Sequence, residues 1–342
     1  MTARRDEDPA SVLFDLVTGY GLSQAVYVAA KLGVADRLAD GPLDGPALAR
    51  AVGVPAPPLS RVLRLLAAHG VLEEVAPDRF ALAPAGELLR EGVPGSLRPF
   101  AVMTMELEYP AWGQLLHSVA TGEAGFPRAF GAPEWEYLAR TPAAAAVFDA
   151  AMVGITRWQA AAVVAAYEFA GHRLVVDVGG GRGQLLAAIL AAHPALRGVL
   201  FDTPAVVDGA GPLLEAAGVA DRCASVGGDF LAAVPEGGDA YVLKSIVHDW
   251  DDERAATILR NCRRAMVPRG KVLLVERPLP PGLASEAHRR GLWADVHMMV
   301  LFDGRERTLE QYAGLLAAAD LRLGAVVPAT DDGFVVMEGL PA

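Results

Sequence analysis

The sequence predicts an α/β protein in which a helical N-terminal part with a winged-helix pattern precedes a domain built on a parallel sheet. Three observations carry this. From Leu174 onward, the short apolar runs LVVDV, GVLFD, DAYVLKSI and KVLLVE alternate with helical segments such as QLLAAILAAH and ERAATILRNCRRAM. Strands separated by helices of that length need crossover connections, which means parallel pairing with both faces of the sheet covered. Earlier in the chain, "LDGPALARAVGV" and "PPLSRVLRLLAAHGVLEEV" read as two short helices, and with "DRFALAPAGELL" they supply two short strands around a turn at Pro77-Asp78. Finally, the strand ending in Asp177 runs straight into Gly179-Gly180-Gly181-Arg182-Gly183 and an apolar helix, a turn of the nucleotide-binding type.

Taken in order, Ser11 to about Ala39 reads as helices, because Phe14, Val17, Leu22, Val26, Ala30 and Val34 recur at three- and four-residue steps. The winged-helix pattern that follows raises the reading of a transcription regulator. Its recognition helix would offer only Arg61 and Arg64, however, and Glu73, Glu74 and Asp78 flank the wing, so packing or dimerisation is the better use. From about Phe100 to Glu168 the chain is helical, interrupted at Gly122, Gly125, Pro127, Gly131 and Pro133, and rich in large apolar side chains suited to lining a pocket. The expected division is therefore residues 1–100, 101–168 and 169–342.

With 342 residues, 53% of them hydrophobic, the chain can bury two domain cores. Its net charge of −11 would repel a phosphate backbone, so no nucleic-acid partner is expected. Arg, Asp, Glu or Gly interrupts every apolar run before the ~18 residues a membrane span needs, and the opening lacks a signal core. The expected location is the cytoplasm, without membrane attachment. Cys223 and Cys262 have neither CxxC nor Cys/His zinc spacing and read as reduced structural thiols.

The spacing Gly179-x-Gly181-x-Gly183 differs from the dinucleotide pattern G-x-G-x-x-G, and the acid Asp177 precedes it. A cationic ligand with an amino group, such as S-adenosylmethionine (SAM), suits that acid better than a pyrophosphate does. The next strand ends in Asp202, whose carboxylate can accept from both hydroxyls of a ribose, although it could also cap the next helix. Asp229 and Phe230 follow a third strand and suit the amino group and face of an adenine. All should open on the carboxyl edge of the sheet, where one nucleoside ligand explains them jointly.

The segments "VVDVGGGRG", "LFDTPAVV", "VGGDFLAAVPEGGDAYVLKSIVHDWDDE", "KVLLVERPLP" and "GRERTLEQYAGLLAAADL" together resemble the O-methyltransferase family of plant caffeate-type enzymes and bacterial enzymes of aromatic natural-product biosynthesis. The resemblance implies a Rossmann-like class I methyltransferase domain over 169–342, an N-terminal winged-helix dimerisation domain, a homodimer, SAM as cofactor and a small aromatic acceptor. It places Gly179, Asp202, Asp229, Phe230 and Lys244 on cofactor-contacting positions.

A phenolic acceptor must lose a proton as it attacks, and a neutral imidazole can take it. His248 follows the strand DAYVLKSI at the cofactor edge; by itself it could be a capping loop histidine, but in "SIVHDW" it matches the family's base position. Glu276 and Glu306 match carboxylates that flank the base in the plant enzymes, while Asp249, next to His248, could act on the ring or the loop; Glu306 could also be a surface acid paired with Arg305 or Arg307. One departure from family habit is His297; another is "LFDGRERT", where a second glycine would often precede the first. This raises a rival, a metal site of His248 and His297 with Asp249 or Asp295 for C-methylation of an α-keto acid, Arg128 holding its carboxylate. A further alternative is a SAM-binding relative that catalyses hydroxylation or decarboxylation. The preferred reading names no metal ligands and assigns O-methylation of a phenolic or polyketide-derived hydroxyl.

Overall fold

The computed structural model describes residues 8–279 and 286–342. Within it the chain divides into two compact units, the first ending at Leu107 and the second beginning at Glu108. From Glu108 onward the helical segment expected over 101–168 therefore belongs to the second unit.

The first unit opens with the helix Pro9–Leu32, capped at its start by the Asp8 carboxylate accepting from the Ser11 N–H and stopped by left-handed Gly33. Two shorter helices, Gly45–Val52 and Ala56–Ala68, pack Leu48, Leu59, Leu63 and Leu66 against Phe80. Three antiparallel strands complete the winged-helix arrangement: β1 (Leu43–Asp44), β2 (Leu72–Ala76) and β3 (Arg79–Leu82), in the order β1-β3-β2. Asp78 sits in the turn at φ 56°, and its N–H donates to Glu74 at 2.8 Å. Arg64, one of the two basic residues of the would-be recognition helix, lies 3.6 Å from Glu74 and 3.5 Å from Asp78, so the wing's own acids offset its charge.

One expectation is corrected here. By length and composition the helix Pro9–Leu32 is apolar enough to cross a membrane. Its only charges are Asp15 and Lys31, and Gly19 and Gly21 interrupt the run without making it polar. Leu13, Phe14, Leu16, Val17 and Tyr20 on it are exposed within this chain.

In the second unit, short helices between Tyr109 and Arg140 end at left-handed Gly122 and Gly131, and the long helix Pro142–Ala166 follows. The sheet has seven strands: β4 (Leu174–Val178), β5 (Arg197–Asp202), β6 (Cys223–Gly227), β7 (Ala240–Lys244), β8 (Lys271–Glu276), β9 (Leu321–Pro328) and β10 (Val335–Pro341). Their order is β6-β5-β4-β7-β8-β10-β9; the first five run parallel and β10 is antiparallel to both its neighbours. Side chains alternate between two cores, as a doubly covered sheet requires. Val175, Val242, Leu273 and Val275 pack toward Pro142–Ala166 and Gln184–Ala192, while Val176, Val178, Tyr241 and Leu243 pack toward Asp252–Ala265 and Leu309–Ala317. Strand order reverses beside β4, whose neighbours are β5 and β7, and that reversal opens a crevice at the carboxyl ends of the strands. Both cysteines are unpaired thiols, with burial pushing Cys223 up to about 11 and Cys262 up to about 12.

Candidate active site

The carboxyl ends of β4, β5, β6 and β7 bring the glycine loop and its acids together. Gly179, Gly181 and Gly183 all adopt positive φ, so the loop takes a path that side chains disfavour. At Gly179 a Cβ would overlap Ile246 Cδ1, which fixes the loop against the segment that follows β7. Asp202 accepts from the Gly181 N–H at 2.9 Å and from the Thr203 N–H at 2.7 Å, and the N-cap of the next helix is Thr203. The carboxylate thus braces the glycine loop, and its oxygens keep lone pairs for further donors.

Asp177 is almost fully buried, and its Oδ2 has no hydrogen-bond partner among the described residues. Burial and then the Asp202 charge push its carboxyl up to about 7. Lys244, at the end of β7 on the same sheet face, is pushed down to about 8 by burial, against the pull of Glu276, Asp177 and Asp332. It makes no ion pair within 4 Å among the described residues, and its Nζ lies over the Phe334 ring at 5.5 Å. Asp229 is exposed just beyond β6, and Phe230 packs edge to face on Trp250 at 5.7 Å. Asn261 holds the Phe230 carbonyl at 2.7 Å. A buried orphan carboxyl, an open glycine loop, a strand-end acid with spare lone pairs and an aromatic ring beside them fit a nucleoside carrying a cationic amino-acid tail.

The chain leaves β7 through Ser245, a non-glycine residue at φ 54°, and enters a short 3₁₀ turn, Val247–Asp249. A left-handed serine between a strand and a reactive loop is a mark of imposed geometry. Glu276, fully buried at the end of β8, imposes it by accepting from the Ile246 and Val247 N–H groups at 3.1 and 2.9 Å. Three carboxylates then surround His248: Nδ1 lies 2.9 Å from Glu306 Oε1 and 3.9 Å from Glu276 Oε2, while Nε2 lies 3.3 Å from Asp249 Oδ1. Burial lowers the imidazole, but Glu276, Glu306 and Asp249 outweigh it and raise His248 to about 10. Asp249 rises to about 7, chiefly through burial. The helix that follows is capped by Asp251, so capping does not account for His248.

A family model described as the O-methyltransferase domain matches residues 112–322, more than half of the chain, and an O-methyltransferase dimerisation domain matches 14–92. The chain belongs to the O-methyltransferase family. Phenazine O-methyltransferase PhzM of Lysobacter antibioticus is 47% identical over 332 residues, 97% of this chain and 96% of that protein. The crystal structure of LaPhzM matches with a TM-score of 0.94 at 46% identity, over 98% of this chain and all of that one. NcsB1, an O-methyltransferase from neocarzinostatin biosynthesis solved with S-adenosyl-L-homocysteine and 1,4-dihydroxy-2-naphthoic acid, matches with a TM-score of 0.80 at 33% identity, covering 94% of this chain and 95% of its own. This O-methyltransferase is accordingly an enzyme that uses SAM as its cofactor and acts on secondary-metabolite substrates.

In this O-methyltransferase Glu306 is not a surface acid: it is 3% exposed, while Arg305 and Arg307 pair with Asp252 instead. Arg307 is itself completely buried and donates to the Val247 carbonyl at 2.9 Å, the Trp250 carbonyl at 2.7 Å and Asp252 at 2.8 Å. It thereby ties both ends of the His248 loop to the loop carrying Glu306, between the helices Glu286–Leu301 and Leu309–Ala317. A Cβ at Gly304 would overlap the His248 carbonyl oxygen, so the two loops touch backbone to backbone. Asp303, where a second glycine is common, is exposed and lies 3.6 Å from Arg254.

The two histidines of the metal-site alternative have different partners. His297 Nδ1 accepts from Trp112 Nε1 at 2.9 Å, its Nε2 lies 3.5 Å from Glu108 Oε1, and Asp295 accepts from the Glu306 N–H at 3.0 Å. Among the described residues no cluster of three or more His, Cys, Asp or Glu side chains is arranged to hold a metal ion. Arg128 donates to Gln114 and lines an open cleft of about 410 Å³ with Glu123 and Asp303, surroundings that do not favour a carboxylate. Sequence reasoning missed two buried acids, Glu108 and Glu134. Glu106, two residues before Glu108, pairs with Lys31 and accepts from Tyr27, and no local pattern tells the two glutamates apart.

Proposed function

We propose that this O-methyltransferase methylates a phenolic or polyketide-derived hydroxyl of a small aromatic secondary metabolite, with His248 as general base. The carrying observation is the carboxylate cage around His248 at the same sheet edge as the glycine loop. When bound, the cofactor supplies an electrophilic methyl group on a sulfonium; Asp177 and Asp202 would meet its ammonium and ribose, and Phe230 with Asp229 its adenine. Lys244 faces the same crevice.

With His248 raised to about 10, the ring rests mostly as imidazolium at neutral pH, and the cage sets the tautomer of the neutral fraction that can act as base. Nδ1–H donates to Glu306, leaving Nε2 for the acceptor hydroxyl, which competes there with Asp249. As the oxygen attacks, its proton passes to Nε2, and Glu276, Glu306 and Asp249 stabilise the imidazolium that forms. An imidazolium raised to about 10 is matched to a phenol of pKa ~10, so the transfer is nearly balanced in energy. Methyl transfer itself asks chiefly for alignment and a dry site.

Named relatives acting on phenazine and naphthoic acid skeletons support an aromatic acceptor. The dimerisation-domain match and the exposed apolar residues of Pro9–Leu32 support a homodimer that covers them. The acidic chain and the offset charge of Arg64 support an enzyme scaffold over a DNA reader. The unpaired thiols fit a cytoplasmic location.

Single-turnover kinetics test the base. His248→Ala should slow methyl transfer ~10²–10⁴-fold and leave SAM affinity intact, while His297→Ala costs far less. Equal loss in both variants, together with inactivation of the wild type by chelators, would promote the metal alternative.

A further inference from the structure

Two glutamates of the second unit are buried without the cations that normally accompany such groups. Glu108 is 5% exposed and Glu134 2% exposed, and in each the Oε2 atom has no hydrogen-bond partner among the described residues. Neither makes an ion pair with Lys or Arg among the described residues; the only charged-type contact is Glu108 Oε1 to His297 Nε2 at 3.5 Å. Leaving buried carboxyl oxygens unmatched is costly, and native structures keep such atoms where something else satisfies them.

Their neighbours indicate what that something is. Trp112 is donor-only, so His297 Nδ1 must offer its lone pair and the ring proton sits on Nε2, toward Glu108. Trp293 stacks on His297 with centroids 4.6 Å apart and on Trp112 at 5.8 Å, and half of its own surface is open. Flat aromatic surface therefore adjoins the Glu108 carboxyl through His297. On the other side lies the base: Glu134 is close enough to Asp249 to feel its charge, and Asp249 stands 3.3 Å from His248 Nε2. Burial, then Glu108 and Asp249, push the Glu134 carboxyl well up, toward its neutral form. In that form it can donate one hydrogen bond and accept another, while Glu108 accepts.

We propose that Glu108 and Glu134 form an acceptor-recognition subsite selecting aromatic acceptors that carry a second hydrogen-bond donor, an amino or hydroxyl group on the ring system, and disfavouring those that carry a carboxylate there. This rests on the aromatic O-methylation reading and narrows it. A carboxylate at the subsite would face Glu108 and Asp249, and the cation beside them, His248, is already matched by Glu276, Glu306 and Asp249. An N–H or O–H would satisfy Glu108 Oε2, and the ring would stack beside Trp293.

Three matched naphthols test this: 1-naphthol, 5-amino-1-naphthol and 5-hydroxy-1-naphthoic acid. Binding is read by quenching of tryptophan fluorescence in the presence of S-adenosylhomocysteine, and turnover by methyl transfer from SAM. The wild type should bind the aminonaphthol ~10-fold or more tightly than 1-naphthol, with the naphthoate weakest. Glu108→Ala should erase the amino preference, the ratio of aminonaphthol to 1-naphthol affinity falling to about one, while SAM affinity stays as it was. Glu108→Gln should relieve the naphthoate penalty by ~10-fold. Glu134→Gln serves as a second probe, because it is isosteric with the neutral acid and should retain most of the amino preference. Equal affinity for all three compounds, preference for the naphthoate, or an unchanged ranking in Glu108→Ala would overturn the subsite. So would failure of all three to bind. Selective binding of the aminonaphthol without methyl transfer to any of them would refute the O-methylation reading alone.

Discussion

Replacing Glu306 by glutamine keeps the size and the hydrogen bond to His248 Nδ1 while removing one charge from the cage. At 2.9 Å and an effective dielectric constant of ~20, that charge contributes a gross attraction on the order of 5 kcal/mol to the imidazolium. Loss of repulsion among the remaining acids and partial rehydration offset much of it, so the imidazole should fall by ~1–2 pH units. From about 10 in the intact protein, only ~10⁻³ of His248 is neutral at pH 7, and the variant should raise this to ~10⁻²–10⁻¹. The assay is kcat/KM for a phenolic acceptor against pH at saturating SAM. A bound sulfonium lowers both curves, but the alkaline-rising limb of Glu306→Gln should lie ~1–2 units below that of the wild type. Its plateau should also be lower, because the imidazolium formed during transfer has lost a partner. The same shift acts on folding: a histidine raised from ~6.5 stabilises the native state fully below that pH and loses the contribution as pH climbs through about 10. Glu306→Gln should therefore narrow the alkaline window over which the melting temperature declines. An unmoved rate profile, or one displaced upward, would refute the cage as the source of the basicity.

Asp202→Ala should weaken SAM and S-adenosylhomocysteine alike by about 1–3 kcal/mol in calorimetry, because two ribose hydroxyls lose their acceptor and the glycine loop loses its brace. Arg307→Ala should cost on the order of 3 kcal/mol in urea unfolding, with Arg307→Lys a poor rescue because one ammonium cannot span two carbonyls and Asp252 together. Phe14→Glu with Val17→Glu should turn a dimer into a monomer in sedimentation; a wild type that is monomeric at micromolar concentration would dispose of that surface as an interface.

The sheet was legible because its central parallel strands β4, β7 and β8 are buried on both faces and therefore read as nearly unbroken apolar runs. The strands β9 and β10 escape that pattern: β9 is a half-exposed edge strand and the pair runs antiparallel. The cofactor edge was legible because glycine spacing and strand-end acids are local features. His248, Asp249, Glu276 and Glu306 came together through resemblance, since nothing local to "GRERT" announces that the middle acid turns inward while both arginines pair with Asp252. Arg307 shows the limit most sharply. It is the largest fully buried side chain among the described residues, yet Asp303, Arg305, Glu306 and Glu310 make its sequence neighbourhood highly charged.

The contact between Gly304 and the His248 carbonyl separates how His248 is held from what the neighbouring helices admit. Together with Arg307 and Glu276 it ties His248, the proposed base, to the sheet, whereas Trp112 and Glu134 lie on short helices of four and seven residues. Substitutions in those segments can reshape what is admitted without disturbing how the proton is removed. The proposed proton removal is thus tied to the sheet and acceptor fit to the helices, so few changes in the helices should suffice to admit a new acceptor. Asp249 is where the two parts meet, since its charge helps push the Glu134 carboxyl toward the neutral form. Replacing Glu134 by an apolar residue is thus expected to alter acceptor choice while leaving the carboxylates around His248 in place.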